Sequence, residues 1–596
     1  MIKVKYYTRK ESGCIIILGR NNSIRREEKM IKKDSIKKGL TLLLTGTLLL
    51  ATGCGNNDSA SNNDSTENAS VANSSEETIE ASENDTVVAA AQKDSDNDLV
   101  FSFSDEIANI DIIHAYAVEN DIITTSIAEQ LFYYGKDSSI QKGLVETEEQ
   151  PADNIYVYNI KENVKFSDGT PLTADDVVYS LERQRDPDVA GELGWMFENV
   201  DKIEKTGDYQ VTVTLKKPDA TWPYAMATTA SLVISKSYAE EHKDNLGTSE
   251  GGLVGSGPYV LSSWEQGSEI VLTKNENYWD DSLELDFDTV TFKFIPDVSV
   301  AKLSLENGEI DFTTALTTDS ANELDANPNV NVQAVDYFGE TFLSFNNSRE
   351  PFNDVNVRKA IAYAVDKQTL VDSVYYGKYA GVANALPFGE SIITTAKEEW
   401  TDYLSKVESY SLDIDKAKEY LAKSSVPEGF TAKLVYPASD PSYESVALVI
   451  QQNLKELGIN IELEALAASE ISTLRYGGSE TRDYDLMIAR WGSDYPDPVG
   501  VISPLFISTN NVSGGSNWSE YKNEEFDKLL AEQAEELDPA KRAKILQDSL
   551  TILGDEIPSY PIYYHYRLFA TGSNIDYEIS SSCLYNIFVK DINKAQ

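Results

Sequence analysis

Residues 432–491 contain a strand, a helix and two further strands in succession, and this order restricts the fold more than any other feature of the chain. Residues 432–436 have β propensity, and residues 442–457 place apolar side chains at helical spacing. Alternation over residues 459–465 and the apolar run 484–491 predict the other two strands. A strand–helix–strand unit pairs its strands in parallel, so we predict an α/β fold with a ligand crevice at the carboxyl ends of the strands.

Two further helices have identifiable starts. The spacing of apolar residues predicts one helix from residue 355 to about 372, with Asp354 as its N-cap. The pair Thr173 and Asp176 predicts a capping box at the start of another helix. We therefore assign these acids to capping rather than to catalysis.

The charge balance excludes several functions. Lys and Arg number 51 and Asp and Glu 98, for a net charge of −47, so nucleic acid and anionic lipid surfaces are not expected partners. Three cysteines and three histidines, widely separated, exclude a disulfide framework and argue against a Cys/His zinc site. We predict no metal and no cofactor. These residues are Cys14, Cys54, Cys583, His114, His242 and His565.

Residues 1–53 have the features of a signal peptide. Four lysines precede an apolar run over residues 40–51, which is too short to cross a membrane as a helix. The run leads to Ala-Thr-Gly-Cys54, which resembles a bacterial lipobox, so we expect Cys54 to be acylated; we expect translation to start at Met30. Residues 54–98 contain no aromatic residue and are rich in Asn, Ser and acids, which predicts a disordered acidic tether.

Recognisable motifs are spread in order over residues 99–596. They are residues 166–182 (FSDGTPLTADDVVYSLE), 255–259 (GSGPY), 275–279 (NENYW), 351–361 (PFNDVNVRKAI), Asp366, 490–491 (RW), 494–498 (DYPDP), 560–564 (YPIYY) and 586–590 (NIFVK). Each motif alone is a weak signal, but together and in this order they resemble the peptide/nickel family of extracellular solute-binding proteins.

The resemblance implies a two-lobed periplasmic-binding-protein-like α/β fold with a hinge. Lobe I would comprise residues 99–335 plus 560–596, with an inserted subdomain over about 137–250, and lobe II residues 336–559. The chain would cross the hinge near residues 331–342 and 558–566. The ligand would be enclosed between the lobes.

The resemblance also implies function: capture of short peptides for the permease and ATPase subunits of an ATP-binding cassette importer, by a monomer that is not an enzyme. Asp494 would receive the ligand's α-ammonium group, and Trp491 would line the cleft. Residues 335–340, including Tyr337, Phe338 and Gly339, would pair with the peptide backbone by strand addition.

Two more residues are candidates for ligand contact. Arg475 lies 16 residues before Trp491 and would meet the ligand carboxylate, with a solvated surface arginine as the alternative. Trp195 would reach the cleft from the other lobe. Asp494 as a turn residue and Trp491 as a core residue are the corresponding structural alternatives.

Other ligands and functions remain open. The same fold would suit a nickel chelate, although the histidines lack ligand spacing, or an oligosaccharide, which the 33 Tyr and 7 Trp would suit. A peptide-pheromone receptor would have the same binding chemistry. A secreted hydrolase is disfavoured, because neither a G-x-S-x-G nor an H-E-x-x-H motif is present.

Overall fold

The structure, a computed structural model, describes residues 97–114, 116–189, 191–580 and 587–596. The predicted signal peptide, the acylation site Cys54 and all but the last two residues of the predicted tether lie outside the described residues. Tether residue Asp98 instead begins the first strand.

The strands are β1 (Asp98–Phe103), β2 (Glu129–Gln130), β3 (Phe132–Tyr134), β4 (Ile140–Lys142), β5 (Val145–Ala152), β6 (Ile155–Ile160), β7 (Val200–Gly207), β8 (Gln210–Leu215), β9 (Leu232–Val233), β10 (Tyr259–Glu265), β11 (Glu269–Lys274), β12 (Thr289–Phe294), β13 (Phe312–Thr313), β14 (Val330–Phe345), β15 (Ala380–Val382), β16 (Thr431–Pro437), β17 (Asn460–Leu466), β18 (Leu486–Gly492), β19 (Ser559–Gly572), β20 (Ile575–Asp576) and β21 (Asn593–Lys594).

The α-helices are α1 (Val118–Ile127), α2 (Ala174–Arg185), α3 (Trp222–Met226), α4 (Lys236–Glu241), α5 (Val298–Glu306), α6 (Thr318–Leu324), α7 (Val355–Ala364), α8 (Lys367–Val374), α9 (Lys397–Leu404), α10 (Ile414–Lys423), α11 (Pro441–Lys455), α12 (Ala468–Tyr476), α13 (Val499–Phe506), α14 (Glu524–Glu535) and α15 (Pro539–Glu556).

The largest described sheet is mixed, as the strand–helix–strand pattern predicts. Its order is β10-β11-β12-β1-β13-β19-β14-β18-β16-β17, with β15 beside β19. Strand β16 is parallel to both β17 and β18, which confirms the predicted parallel pairing around α11. Side chains of α7, α8 and α11 cover one face of this end of the sheet and form a common core with it.

The two long strands β14 and β19 run antiparallel through the middle of the sheet. Their ladder pairs residues 330–336 with 566–572, and after an interruption pairs 340–344 with 559–564. The first stretch contributes to the cores built around β1, β12 and β13, and the second to the cores beside β16 and β18. These are the two segments in which the sequence predicts hinge crossings.

A separate four-stranded antiparallel sheet, β5-β6-β8-β7, lies within the predicted inserted subdomain. Helix α2 packs on it through alternate buried residues of β6 and β8, which keep the period-two pattern of a half-buried sheet. At the start of α2 the Thr173–Asp176 capping box is present, with Asp176 accepting from the Thr173 N–H at 2.9 Å.

The single helix predicted from residue 355 to about 372 is wrong: the structure has two helices, α7 and α8. Val365 is extended, and Asp366 caps α8 by accepting from the Thr369 N–H at 3.0 Å. The Asp366 N–H in turn donates to Asn453 Oδ1 of α11 at 3.0 Å. A contact distant in sequence therefore fixes the break, while Asp354 caps α7 as predicted.

None of the helices in the described ranges combines the length and the apolar character that crossing a membrane requires.

Candidate ligand-binding site

Strand β18 carries Trp491 as its penultimate residue. The half-buried indole lies edge to face against Trp518, with ring centroids 5.7 Å apart, and its Nε1 donates to the Gly500 carbonyl at 3.1 Å. These two contacts hold the indole in one orientation. An aromatic surface is therefore fixed at the carboxyl end of β18, where the α/β pattern places a ligand crevice.

Asp494 lies two residues beyond β18 and is half-buried. Its loop is held by Asp497, whose carboxylate accepts from Arg542 Nη1 and Nη2 at 2.6 and 2.8 Å and from the Val499 N–H at 3.0 Å. Both partners of this bidentate pair are almost fully buried, which makes it a strong and directional contact. Asp497 therefore makes a buried ion pair that holds the DYPDP segment in place.

Tyr495, next to Asp494, contacts two aromatic rings from the region of the four-stranded sheet. The Trp195 ring, in a short 3₁₀ helix, is centred 6.3 Å from the Tyr495 ring, and the Tyr224 ring of α3 is centred 6.0 Å away. Trp195 is 40% exposed, whereas Tyr495 is 6% exposed. The structure therefore brings Trp195 beside the Asp494 loop and leaves part of its indole open to solvent.

Tyr337, Phe338 and Gly339 form an irregular stretch of β14 beside the end of β18. Phe338 is buried with a left-handed φ of 55°, and the half-buried Tyr337 ring covers Gly492. A Cβ atom on Gly339 would lie 1.9 Å from the Trp491 carbonyl oxygen, so only glycine allows this approach of the two strands. These residues set the distance between β14 and the strand that carries Trp491.

The prediction that residues 335–340 offer a free edge to a peptide is wrong for the last three residues. The Phe338 carbonyl accepts from the Ser493 N–H at 3.1 Å, Gly339 pairs with β18, and Glu340 lies between β18 and β19. Backbone groups already in a ladder cannot pair with an added strand. Residues 335–337 have no strand beside them on the side away from β19 in the part of the chain that the structure describes, and only these keep the predicted role.

Arg475 is not a surface residue. It is 7% exposed, and its guanidinium carbon lies 4.7 Å from the centre of the Trp518 ring, which also contacts Trp491. The solvated alternative is therefore excluded. Contact with a ligand carboxylate stays a prediction for this residue.

A polar cluster that sequence reasoning missed lies where the β14–β19 ladder is interrupted. Arg490 Nη1 donates to His565 Nε2 at 3.1 Å, and the Tyr337 ring stands edge-on to the imidazole at 5.9 Å. Arg567, two residues along β19, pairs with Glu119 of α1. The only sequence signals were the position of Arg490 beside Trp491 and that of His565 in a predicted hinge crossing.

The imidazole of His565 is neutral in this setting. Its enclosure by the strands, and then the charges of Arg490 and Arg567, lower the pKa of His565 well below its usual value. Because Nε2 accepts a hydrogen bond from a guanidinium, the ring proton is on Nδ1. Within the described ranges, no group of three or more His, Cys, Asp or Glu side chains is placed to hold a metal ion.

Comparisons with known proteins agree with this architecture. The chain is 31% identical over 404 residues to the probable D,D-dipeptide-binding periplasmic protein DdpA of Escherichia coli, covering 67% of this chain and 74% of the relative. It is 25% identical over 480 residues to the glutathione-binding protein GsiB of E. coli, covering 80% and 91%. Periplasmic DppA of Helicobacter pylori, solved with the peptide STSA, superposes with a TM-score of 0.68 at 24% identity, over 84% of this chain and 98% of that one, which establishes the fold.

Residues 139–513 match the family described as bacterial extracellular solute-binding proteins, family 5 Middle. This match covers more than half of the chain and includes the four-stranded sheet, the irregular stretch of β14 and the loop after β18. The chain therefore belongs to the family 5 extracellular solute-binding proteins, which bind solutes and are not enzymes.

Proposed function

We propose that this solute-binding protein serves an ATP-binding cassette importer and that its solute is a short peptide held between two closing lobes. The observation that carries the proposal is Asp494, a half-buried carboxylate on a fixed loop beyond β18, flanked by the aromatic residues Trp491 and Tyr495. The relatives named above are a probable D,D-dipeptide-binding protein, a glutathione-binding protein and a protein solved with the peptide STSA, which supports a peptide as the solute.

The proposed hinge follows the two long strands. Lobe I would comprise residues 99–335 with 560–596 and lobe II residues 336–559, with the inserted subdomain over about 137–250. The interruption of the β14–β19 ladder between Asp336 and Glu340 supports this division, since a ladder gap is where two strands can bend together.

Asp494 suits an ammonium ligand for an electrostatic reason. A carboxylate enclosed between lobes loses water, so a hydrogen bond from an ammonium group is stronger there than between exposed charges. The Trp195 and Trp491 surfaces would accept varied apolar side chains beside it, which suits a binder of peptides rather than of one compound.

The test is calorimetric titration with the peptide Ser-Thr-Ser-Ala and its N-acetyl form. Asp494→Asn and N-acetylation should each weaken binding by roughly 1.5–3 kcal/mol, the usual contribution of a hydrogen bond to a charged group. Combining the two changes should add little, because both remove the same contact. Asp402→Asn, at a carboxylate 80% exposed in α9, is the matched control.

Two results would contradict this proposal. Equal affinity of the acetylated and free peptides would show that Asp494 does not bind the ligand's ammonium group. Native mass spectrometry of the purified protein provides a second check. If a sugar or a metal complex co-purifies in place of peptides, the fold assignment stands and the proposed ligand is wrong.

We also propose that Cys54 anchors the protein to the outer face of the cell membrane through a lipid. The support is the Ala-Thr-Gly-Cys54 pattern after a short apolar run, followed by an acidic segment typical of a flexible tether. Cys54→Ser should move the protein from the membrane fraction to the soluble fraction. A variant that stays with the membrane would rule the anchor out.

A further inference from the structure

We propose that Arg542 of α15 is a positioning residue for ammonium binding: its ion pair with Asp497 orients the Asp494 loop, and closing of the lobes completes the burial of that pair. This inference rests on the proposed function, because it assigns to a residue outside the cleft the control of a contact that Asp494 would make. Both members of the pair are buried. They therefore act on a solute only through the loop that they hold.

The guanidinium of Arg542 is held from two sides. Its Nη1 and Nη2 donate to the two carboxylate oxygens of Asp497, and its Nε donates to Gln533 Oε1 of α14 at 3.0 Å. Gln533 is buried, and α14 and α15 pack against each other. The guanidinium thus has a fixed direction. A carboxylate that pairs with it through both oxygens takes a fixed direction as well.

Asp497 transmits this direction to the backbone that follows Asp494. Its carboxylate accepts from the Val499 N–H, and its carbonyl accepts from the Gly500 N–H at 3.0 Å. Its own N–H donates to the Tyr495 carbonyl at 2.8 Å. The residue next to Asp494 is therefore part of a turn that Asp497 closes. A binding group has to be held within roughly 0.5 Å of its productive position, so a loosened turn weakens the contact that Asp494 makes.

The pair also determines which carboxylate of the DYPDP segment a ligand meets. Asp494 and Asp497 are three residues apart, and both attract an ammonium group. Arg542 neutralises the charge of Asp497, which is buried, whereas Asp494 is half-buried. The attraction for a cation is therefore concentrated at Asp494.

The pair lies where the loop meets the region of the four-stranded sheet. Val499 and Tyr495 belong to the same apolar core as Tyr224 of α3. Burial and then the charge of Asp497 raise the pKa of the Tyr224 hydroxyl, and the same two causes raise the pKa of Tyr495. A charge shifts the pKa of a hydroxyl in this way when the two groups lie close together. Tyrosines from both sides of this contact therefore surround Asp497.

This position couples the ion pair to lobe closure. If residues 336–559 move as one lobe, opening separates Tyr224 from Asp497 and lets water reach the pair. An ion pair is weaker in water than in a buried site, so the loop then loses part of its fixed direction. The ammonium group would be held firmly in the closed form and released as the lobes open.

The test compares the dissociation constants of Ser-Thr-Ser-Ala and its N-acetyl form by calorimetry. N-acetylation should raise the dissociation constant of the wild type about ten-fold or more. In Arg542→Lys this ratio should fall towards one, because the charge remains and the paired geometry is lost. Asp497→Asn should lower the ratio as well. The double variant should lower it no further than the single variants do, because each change breaks the same pair.

The matched control is Arg358→Lys, which changes a buried arginine of α7 that donates to the carbonyls of Phe352, Glu556 and Ile557. This variant should lower the free energy of unfolding in urea and keep the wild-type ratio between the two peptides. An equal fall of the ratio in Arg358→Lys and Arg542→Lys would overturn the inference, because general loss of stability would then account for the effect.

A measurement on the wild type alone tests the link to closure. Amide hydrogen exchange at Val499 and Gly500, whose N–H groups donate to Asp497, reports how firmly the loop is held. A saturating concentration of Ser-Thr-Ser-Ala should slow this exchange. Exchange at the same rate with and without the peptide would overturn the link, even if a variant fails to fold.

The outcomes separate this inference from the proposed function. If N-acetylation leaves the affinity of the wild type unchanged, the proposed role of Asp494 fails, and the role of Arg542 fails with it. If the wild type discriminates between the peptides and both Arg542→Lys and Asp497→Asn keep the full ratio, only the positioning role is overturned and the peptide-binding function stands.

Discussion

At the scale of single residues, Glu340 is an unusual group for the middle of a sheet. It has no exposed surface, and neither carboxyl oxygen has a hydrogen-bond partner among the described residues. Burial raises the pKa of Glu340 well above its usual value, and the charge of Lys367 offsets this only in part. We therefore expect a neutral carboxylic acid where β14 meets β18 and β19.

This protonation predicts how stability depends on pH. Above about pH 4.5 the unfolded chain releases the Glu340 proton and the folded protein retains it, so the contribution to stability falls as pH rises towards the folded pKa. Glu340→Gln should remove this loss. Over that pH range, the free energy of unfolding of the variant should rise relative to that of the wild type by up to about 1.4 kcal/mol per pH unit.

Urea unfolding of both proteins between pH 4 and pH 8 measures the effect. Glu462→Gln, at an exposed position of β17, is the control and should leave the pH dependence as it is in the wild type. A stability difference between Glu340→Gln and wild type that stays constant with pH would show that Glu340 titrates alike in the folded and unfolded states.

At the scale of elements, local sequence patterns predicted those helices, strands and caps that depend only on neighbouring residues. The order β16, α11, β17, β18 follows from hydrophobic periodicity alone, and the capping box of α2 follows from two side chains three residues apart. The break between α7 and α8 could not be predicted in this way. Asp366 is compatible with a continuous helix, and the Asn453 contact that favours the break comes from 87 residues away.

The candidate site shows the same difference between residues that a local motif predicts and residues that depend on contacts distant in sequence. Asp494 and Trp491 could be predicted as site residues because they lie in one short motif at the end of a predicted strand. The pairing of Arg490 with His565 depends on the order of β18, β14 and β19 in the sheet, which connects residues 75 apart in sequence. Likewise, Arg475 is buried against Trp518, which lies 43 residues later in the chain.

At the scale of the whole molecule, the region of the four-stranded sheet contacts the segments beyond β18 directly. Tyr495 and Val499 belong to the same apolar core as β6, β8 and α2. Three polar contacts also join these two parts of the chain. The Ala220 N–H donates to the Ala534 carbonyl at 2.9 Å, Lys217 forms an ion pair with Glu535 at 2.8 Å, and the Tyr224 hydroxyl donates to Thr395 Oγ1 at 3.4 Å. If residues 336–559 form one moving lobe, these contacts are made only when the lobes are closed.

Tyr495 makes two aromatic contacts across this region, with Trp195 and Tyr224, so its removal should favour an open form. Each of its two aromatic pairs contributes about 0.5–1.5 kcal/mol beyond the area buried, and Tyr495→Ala loses both. We expect small-angle scattering to show a larger radius of gyration for unliganded Tyr495→Ala than for the wild type. Addition of Ser-Thr-Ser-Ala should compact both proteins, with a weaker apparent affinity in the variant, since ligand binding must then supply the lost closing energy.

The control is Tyr376→Ala, which removes a tyrosine that is 44% exposed and lies outside these contacts. It should leave the radius of gyration of the unliganded protein unchanged. Equal radii for wild type and Tyr495→Ala, with and without peptide, would show that the contacts around Tyr495 join parts of one rigid body. In that case the solute would have to enter without lobe motion, and the interruption in the β14–β19 ladder would be a fixed irregularity rather than a hinge.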